Sequence, residues 1–171
     1  MRKLFVFLAV CTGTFTAVQA QKFAYVDTEY ILEKMPEYAA AQKQIEQLSN
    51  QYQATIEAEI QKVDLLFRTY QSEKGRLSDA QRQVREQEII NKEQAVKELQ
   101  KSYFGQDGTV TKRSESLITP VKDKVQRAID ALAQEGGYAL IFDIAAAPGF
   151  IFTHPSYDLS NRVLEKLGIR N

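Results

Sequence analysis

The stretch QKFAYVDTEYILEKMPEY, residues 21–38, decides the fold because it joins a strand to the start of a helix. Residues 23–26 alternate large and small side chains, as a β-strand does, and a helical pattern follows. Val26 and Ile31 flank Asp27 at the spacing of a hydrophobic staple, which predicts a defined turn from strand into helix. A strand needs a partner, and the long polar sequence that follows offers none, so the partner must lie far along the chain.

The sequence near the other terminus supplies that partner. Residues 138–143, YALIFD, form a short apolar run after a glycine pair, which is typical of a buried strand. Residues 150–153, FIFT, follow a Pro148-Gly149 turn and predict another strand, and Asp158 precedes the apolar face of a closing helix. We expect the first strand to pair with residues 138–143, either within one subunit or between two subunits.

Three strands of this length make a poor independent core. Such a sheet is best stabilised by further copies of itself, so we expect a homo-oligomer that is built through the sheet. The apolar side chains expected to form this oligomerisation body are Phe23, Tyr25, Val26, Leu140, Ile141, Phe142, Phe150 and Phe152.

The middle of the chain has the pattern of a helical hairpin. Apolar residues recur there in steps of three and four, close to the period of a coiled coil. This stripe consists of Ile45, Leu48, Tyr52, Ile56, Ile60, Val63, Phe67 and Tyr70. It breaks near Gly75, and Ser78 with Gln81 then forms the motif of a capping box, which begins a second helix. The alternative is that Gly75 lies inside one continuous rod, at a cost of about 1 kcal/mol.

The position of the two strands decides between a hairpin and a rod. A straight rod would separate Phe23 from Phe142 by on the order of 150 Å, whereas a hairpin returns both to one sheet. The predicted fold is therefore α+β and mostly α, with a long antiparallel helical hairpin, a coiled-coil arm, that projects from a small β-sheet oligomerisation body. We assign residues 37–119 to the arm, with its tip near 73–78, and residues 21–36 and 120–171 to the body.

Two features interrupt the return helix of the hairpin. Residues 104–109, FGQDGT, predict a kink or a short loop. Pro120 either starts a new helical segment or bends the old one. We expect both to be joints between the arm and the body, and neither has side chains that indicate a chemical role.

Residues 1–20 have the layout of a secretory signal peptide. Two basic residues precede an apolar run that is too short to span a bilayer, and small residues close the segment at Ala20. Cleavage there would make Gln21 the first residue of an exported chain. The alternative is lipidation at Cys11, but the bulky residue before it does not fit a lipoprotein cleavage site.

Charge and residue chemistry argue against several classes of function. The chain has 22 basic and 22 acidic side chains, so it lacks the basic surplus of a protein that binds nucleic acid. Cys11 is the only cysteine and His154 the only histidine, which does not favour a metal site. Gly105 and Gly108 are not followed by the lysine of a phosphate-binding loop. We therefore expect no enzymatic activity and no cofactor.

Both ends of the exported sequence resemble the Skp/OmpH family of periplasmic chaperones. The resemblance covers residues 21–169 and rests on FAYVDTEYILEKMPEY near the start and on YALIFD, FIFT and YDLSNRVLEKLG near the end. It implies a trimer in which three helical arms project from a β-rich body and enclose a cavity. It further implies a periplasmic location, and that the cavity holds unfolded outer-membrane proteins without ATP.

The resemblance makes apolar residues towards the arm tip the candidates for contact with such clients. We expect these contacts to be Tyr52, Leu66, Phe67, Tyr70 and Leu77. Leu66 is expected to be the most exposed, because it lies slightly off the stripe. For each residue the alternative is packing inside the hairpin. The alternative for the whole protein is a structural or scaffolding coiled coil of the cell envelope that binds no client.

The charge of the arm departs from the pattern of the family. Relatives often have basic arms, which suit acidic clients, lipopolysaccharide or anionic lipid, whereas residues 41–103 hold ten basic and ten acidic side chains. Binding of such anions by this chain would have to rest on local patches such as Arg82 with Arg85 or Lys112 with Arg113. A solvated helix face is the alternative interpretation of both patches.

Overall fold

The structure, a computed structural model, describes residues 21–146 and 149–170, and the predicted signal peptide with Cys11 lies outside them. Its elements are β1 (Lys22–Val26), α1 (Thr28–Glu33), α2 (Pro36–Glu73), a 3-10 turn (Lys74–Arg76), α3 (Asp79–Phe104), α4 (Thr109–Gly136), β2 (Tyr138–Asp143), a second 3-10 turn (Pro155–Tyr157) and α5 (Ser160–Lys166). Long helices and a small sheet confirm the predicted fold class of α+β, mostly α.

β1 and β2 form a parallel two-stranded sheet, in which Ala24 lies opposite Ile141 and Tyr25 lies opposite Phe142. The predicted pairing of these two segments is thus confirmed, and it occurs within one chain. Parallel strands need a long crossover connection. Here that connection is the whole helical hairpin, which carries the chain away from the sheet and returns it.

Residues 150–153 do not form a strand, so this part of the prediction is wrong. Beside β1 lies instead the segment before the last helix, where the Leu159 N–H donates to the Tyr25 carbonyl oxygen at 2.9 Å. The Phe150 ring packs edge-on against Phe142, with ring centroids 5.5 Å apart. An extended apolar segment has the sequence pattern of a strand whether or not a sheet edge is available to it.

A polar network fixes the turn from β1 into α1. Asp27 caps the helix as predicted, because its carboxylate accepts from the Tyr30 N–H at 3.0 Å. The Asp27 N–H donates to the hydroxyl of the buried Ser160 at 2.9 Å, which ties the turn to α5. The Thr28 N–H and hydroxyl donate to the Asp143 carboxylate at 3.2 and 2.7 Å, which ties it to the end of β2. These bonds join segments that are far apart in sequence.

The hydrophobic core of the body lies between the sheet and helices α1, α4 and α5. Its fully buried side chains include Val26, Ile31, Met35, Val163 and Leu164. The second half of α4 contributes Val121, Val125, Ala128, Ile129 and Leu132, at helical spacing. Pro120 lies inside α4, which continues on both sides of it. α4 ends at Gly136 and is capped by Gly137, whose left-handed backbone (φ 62°) suits glycine.

Helices α2 and α3 form the arm, and α2 alone has 38 residues, which corresponds to roughly 57 Å. At the tip the predicted capping box is present: the Ser78 N–H donates to the Gln81 side chain at 2.9 Å, and the Gln81 N–H donates to the Ser78 hydroxyl at 3.4 Å. Gly75 lies in the 3-10 turn without a left-handed backbone. The turn therefore forms where the sequence predicts it, but does not depend on the conformational freedom of glycine.

The break between α3 and α4 is a tight loop built on two glycines. A Cβ atom on Gly108 would lie 2.5 Å from the Tyr103 carbonyl oxygen, and one on Gly105 would clash with the Lys101 carbonyl oxygen. The Gly108 N–H donates to the Gly105 carbonyl oxygen at 2.9 Å, which closes the loop. The backbone approaches itself so closely here that only glycine fits.

Candidate functional site

The seam of the arm is well packed near its two ends and thin in the middle. Towards the body, Tyr52 stacks on Tyr103 with ring centroids 3.9 Å apart. Towards the tip, Tyr70 is 5% exposed, and its hydroxyl donates to Glu86 of α3. Between Ile56 and Tyr70 no side chain of α2 is fully buried. In this middle stretch several apolar side chains of α2 are left exposed.

The predicted client contacts divide into two groups in the structure. Tyr52 and Tyr70 belong to the seam, where they pack against α3. Leu66 and Leu77 are half-buried, and Phe67 is exposed. The expectation that Leu66 is the most exposed of them is wrong, because its side chain turns towards the seam.

Several exposed apolar side chains of the arm were not singled out from the sequence. Leu65 is 66% exposed and Val84 68% exposed, and Ile60 and Ile90 are also exposed. The helical repeat could have identified Leu65, because it lies two residues, or about 200° around the helix, from the stripe residues Val63 and Phe67 and so points away from the stripe. Ile60 was counted in the stripe, but it lies at the margin of the seam.

Two apolar grooves run along the middle of the arm, and both are lined by Val63 and Val96. The first groove, of about 550 Å³, is lined by Ile60, Val63, Asp64, Phe67, Glu93, Val96 and Lys97. The second groove, of about 640 Å³, is lined by Glu59, Lys62, Val63, Leu65, Leu66, Thr69, Glu88, Lys92, Ala95, Val96 and Leu99. Phe67 lines only the first groove and Leu65 lines only the second. These two side chains lie on opposite sides of the seam.

The charged side chains at the rims of the grooves are nearly balanced in sign, and some of them form ion pairs. Beside the second groove, the Lys62 ammonium lies 2.6 Å from the Glu59 carboxylate, and Arg85 lies 3.1 Å from Glu88. The hydrogen bond from Lys62, together with the nearby positive charges of Lys62 and Lys92, holds the pKa of Glu59 below its ordinary value. The rims are thus polar, but they present no excess of either charge.

The first groove has the same kind of rim. Asp64 pairs with Arg68 at 2.8 Å. Glu93 and Lys97 lie four residues apart on α3, in the order that favours attraction between them. Neither groove therefore has the electrostatic character of an anion-binding site.

An arginine of each basic patch contacts other residues of the chain. Arg82 lies 3.5 Å from Asp79 and donates from Nε to the Leu77 carbonyl oxygen at 3.1 Å. Arg113 donates to Gln44 of α2 at 3.5 Å. Arg82 makes its contacts at the tip of the arm and Arg113 contacts α2, which fits the alternative of a solvated helix face better than a dedicated anion site.

The body has a second apolar surface, on the outer face of the sheet. Phe23, Leu140 and Phe142 are exposed there, and Phe142 is 41% exposed. Phe150 and Phe152, in the segment after the sheet, are exposed as well. Of the other residues assigned to the oligomerisation body, Tyr25 and Val26 are buried and Ile141 packs against the core.

The residues that the structure describes were compared with two further kinds of functional feature, a metal site and a membrane-spanning helix. Within residues 21–146 and 149–170, no group of three or more His, Cys, Asp or Glu side chains is placed to hold a metal ion. None of the helices in that part of the chain is both long enough and apolar enough to cross a membrane.

Comparison with known proteins identifies a family. A family model described as outer membrane protein (OmpH-like) matches residues 22–167. The fold is similar to that of a crystal structure from Caulobacter crescentus assigned as an outer membrane chaperone (OmpH-like), with a TM-score of 0.68 at 12% sequence identity, over 86% of this chain and 84% of that chain. No curated protein matches the chain. At this identity the structural match establishes the fold, and the family model establishes the family.

Proposed function

The chain belongs to the OmpH-like family, and on that premise we propose that it is a chaperone of the periplasm. In this proposal it is an ATP-independent holdase that binds unfolded outer-membrane proteins and keeps them soluble until they insert into the membrane. It acts without catalysis and without a cofactor, as an exported chain that begins at about Gln21.

The observation that carries this proposal is the exposed apolar surface of an arm that stands away from the core. Phe67 and Leu65 of α2 are 46% and 66% exposed, and neither packs against the body. Fully burying a side chain of this size contributes about 1.5–3 kcal/mol, and partial burial contributes less. Several contacts of this kind could hold a client, and each is weak enough to be released.

Polypeptides of the outer membrane suit such a surface. Their membrane strands alternate apolar and polar residues. Apolar grooves with polar rims shield the apolar side chains of such a segment while leaving its polar side chains in water. Release needs no nucleotide if the client folds into its membrane, because folding buries the side chains that the arm had covered.

We further propose that the chain acts as a homotrimer assembled through the body. The exposed outer face of the sheet, with Phe23, Leu140 and Phe142, supplies apolar surface for contact between copies. Three arms around one axis would then enclose a cavity. Anionic lipid or lipopolysaccharide is a weaker candidate partner, because the arginines of the basic patches already have partners within the chain.

An aggregation assay separates the holdase from a scaffold without clients. A urea-denatured outer-membrane β-barrel is diluted into buffer without ATP, with and without this protein, and light scattering is followed. We expect scattering to be suppressed when the oligomer is present in equimolar amount. A scaffolding protein of the envelope would leave the aggregation of the barrel unchanged.

A further inference from the structure

We propose that the middle of the arm carries two back-to-back binding grooves, each of which takes a short, extended, uncharged polypeptide segment with apolar side chains at alternate positions. This inference rests on the proposed holdase function. It adds to that function the location of the site, the number of faces that bind and the chemistry of the occupant.

The geometry of the seam makes the two grooves separate sites. Ile60 and Phe67 lie seven residues apart, which is about two helical turns, and so share one side of α2. Leu65 lies in the other groove, on the far side of the seam. Val63 and Val96 line both grooves and form a floor that is one layer of side chains thick. An occupant can therefore bind on each face of the same arm.

The length of the grooves fits an extended segment. The second groove follows α2 from Glu59 to Thr69, which is about 15 Å along a helix. An extended chain rises about 3.3 Å per residue, so about five residues cover that length. Alternate side chains of such a segment point to one face. Two or three apolar side chains would enter the groove, and those between them would face the polar rim or water.

The charges of the rim determine the chemistry of the occupant. The second groove is lined by two acidic residues, Glu59 and Glu88, and by two basic residues, Lys62 and Lys92. Each acidic side chain already faces a basic one. The lining as a whole has no net charge, so neither an acidic nor a basic occupant meets a surplus of opposite charge, whereas an uncharged segment leaves the existing pairs intact. An acidic peptide or an anionic headgroup therefore finds no complementary site here.

The near balance of acidic and basic side chains around the grooves predicts binding that is insensitive to salt. Salt screens exposed charges within about 8–10 Å at physiological ionic strength, and so weakens complexes that depend on attraction between charges. Contacts between apolar side chains do not depend on this attraction. The affinity for an uncharged segment should therefore stay nearly constant as salt is raised.

Two synthetic peptides test the chemistry of the occupant. The first is about ten residues long and alternates valine with threonine, so that an extended chain presents valine on one face. The second has aspartate in place of each threonine. We expect the uncharged peptide to bind more tightly, with an affinity that changes less than about twofold between low and high salt. Tighter binding of the acidic peptide at low salt, lost on addition of salt, would overturn the proposal.

Cross-linking from single cysteines tests the two faces. The chain from Gln21 onwards has no cysteine, because Cys11 is the only one in the sequence. A photoreactive group is attached at Phe67→Cys for the first groove, at Leu65→Cys for the second, and at Val84→Cys as a control that is as exposed as Leu65 but lies outside both grooves. We expect the uncharged peptide to be captured at the first two positions and not at the third. Capture at only one groove, or equally at all three positions, contradicts the proposal.

The aggregation assay distinguishes failure of this inference from failure of the proposed function. A protein that keeps the denatured barrel soluble but captures the peptide on one face only retains its holdase function and loses the two-groove site. The double variant Ile60→Ser, Phe67→Ser gives an independent measurement, since both side chains are exposed and their loss should not unfold the arm. We expect it to weaken peptide binding to the first groove about tenfold while cross-linking from Leu65→Cys persists.

Discussion

Tyr70 joins the two helices of the arm near its tip, and its hydroxyl group makes the arm sensitive to alkaline pH. The hydrogen bond to Glu86, the burial of the ring and the negative charge of Glu86 raise the pKa of Tyr70 above its ordinary value. A tyrosine in the unfolded chain loses its proton near pH 10. Because the folded state holds this proton more tightly, the stabilisation is present below about pH 10 and is lost as the pH rises through the folded pKa.

Comparison of the wild type with Tyr70→Phe tests this pH dependence. We expect the wild type to be the more stable protein at pH 7, and the difference in urea midpoint to shrink above about pH 10. Glu86→Gln should lower the pKa of Tyr70, as measured by the ultraviolet absorbance of tyrosinate. A stability difference that stays constant from neutral to strongly alkaline pH would mean that this hydroxyl does not contribute as described.

Asp143 is the residue that ties the end of β2 to the start of α1. Its carboxylate accepts from the N–H and hydroxyl of Thr28 and from the Ala145 N–H. Hydrogen bonds to a charged group contribute about 1.5–3 kcal/mol, so we expect Asp143→Ala to lower the free energy of unfolding by about 2 kcal/mol. Urea unfolding measures the change. Asp123→Ala, at an exposed position of α4, is the matched control and should change stability by less than about 0.5 kcal/mol.

At the scale of elements, the break between α3 and α4 depends on glycine and the turn at the tip does not. Gly108→Ala would place a methyl group against the Tyr103 carbonyl oxygen, whereas a Cβ atom on Gly75 meets no atom within 4 Å. We expect Gly108→Ala to destabilise the protein by about 1–3 kcal/mol, as overpacking does. Gly75→Ala should be neutral or slightly stabilising. Thermal unfolding followed by circular dichroism compares the two, and equal effects would show that the break tolerates a side chain.

The sequence predicts the elements whose signals are local. The stripe of α2, the capping box at Ser78 and the turn from strand into helix at Asp27 are all present. Each depends on residues within one or two turns of one another, so spacing alone reveals it. The pairing of β1 with β2 was predictable as well, because the hairpin leaves few other places for the two strands.

The features that the sequence does not predict depend on contacts between segments that are far apart in the chain. Residues 150–153 have strand composition, but they form no ladder with the sheet, and Phe150 contacts it through the ring of Phe142. The grooves arise where two helices meet with small side chains between them. No local pattern in either helix indicates that space.

At the scale of the whole molecule, the outer face of the sheet should hold copies of the chain together. Phe142 is exposed in the single chain, so Phe142→Asp should leave the fold intact and disrupt the oligomer. We expect a smaller molar mass in solution by light scattering, with an unchanged circular dichroism spectrum. Ile90→Asp places the same charge at an exposed position of the arm and should keep the mass of the wild type. A wild-type protein that is monomeric would contradict the proposed assembly.

The binding of an unfolded client is the central claim, and tryptophan fluorescence measures it directly. This chain contains no tryptophan, so all such emission comes from the client. A urea-denatured outer-membrane β-barrel that contains tryptophan is diluted into increasing concentrations of this protein without ATP. We predict a saturable shift of its emission to shorter wavelength, with the client remaining soluble, because its apolar segments become covered by the arms. Emission and aggregation that are the same with and without the protein would contradict the account.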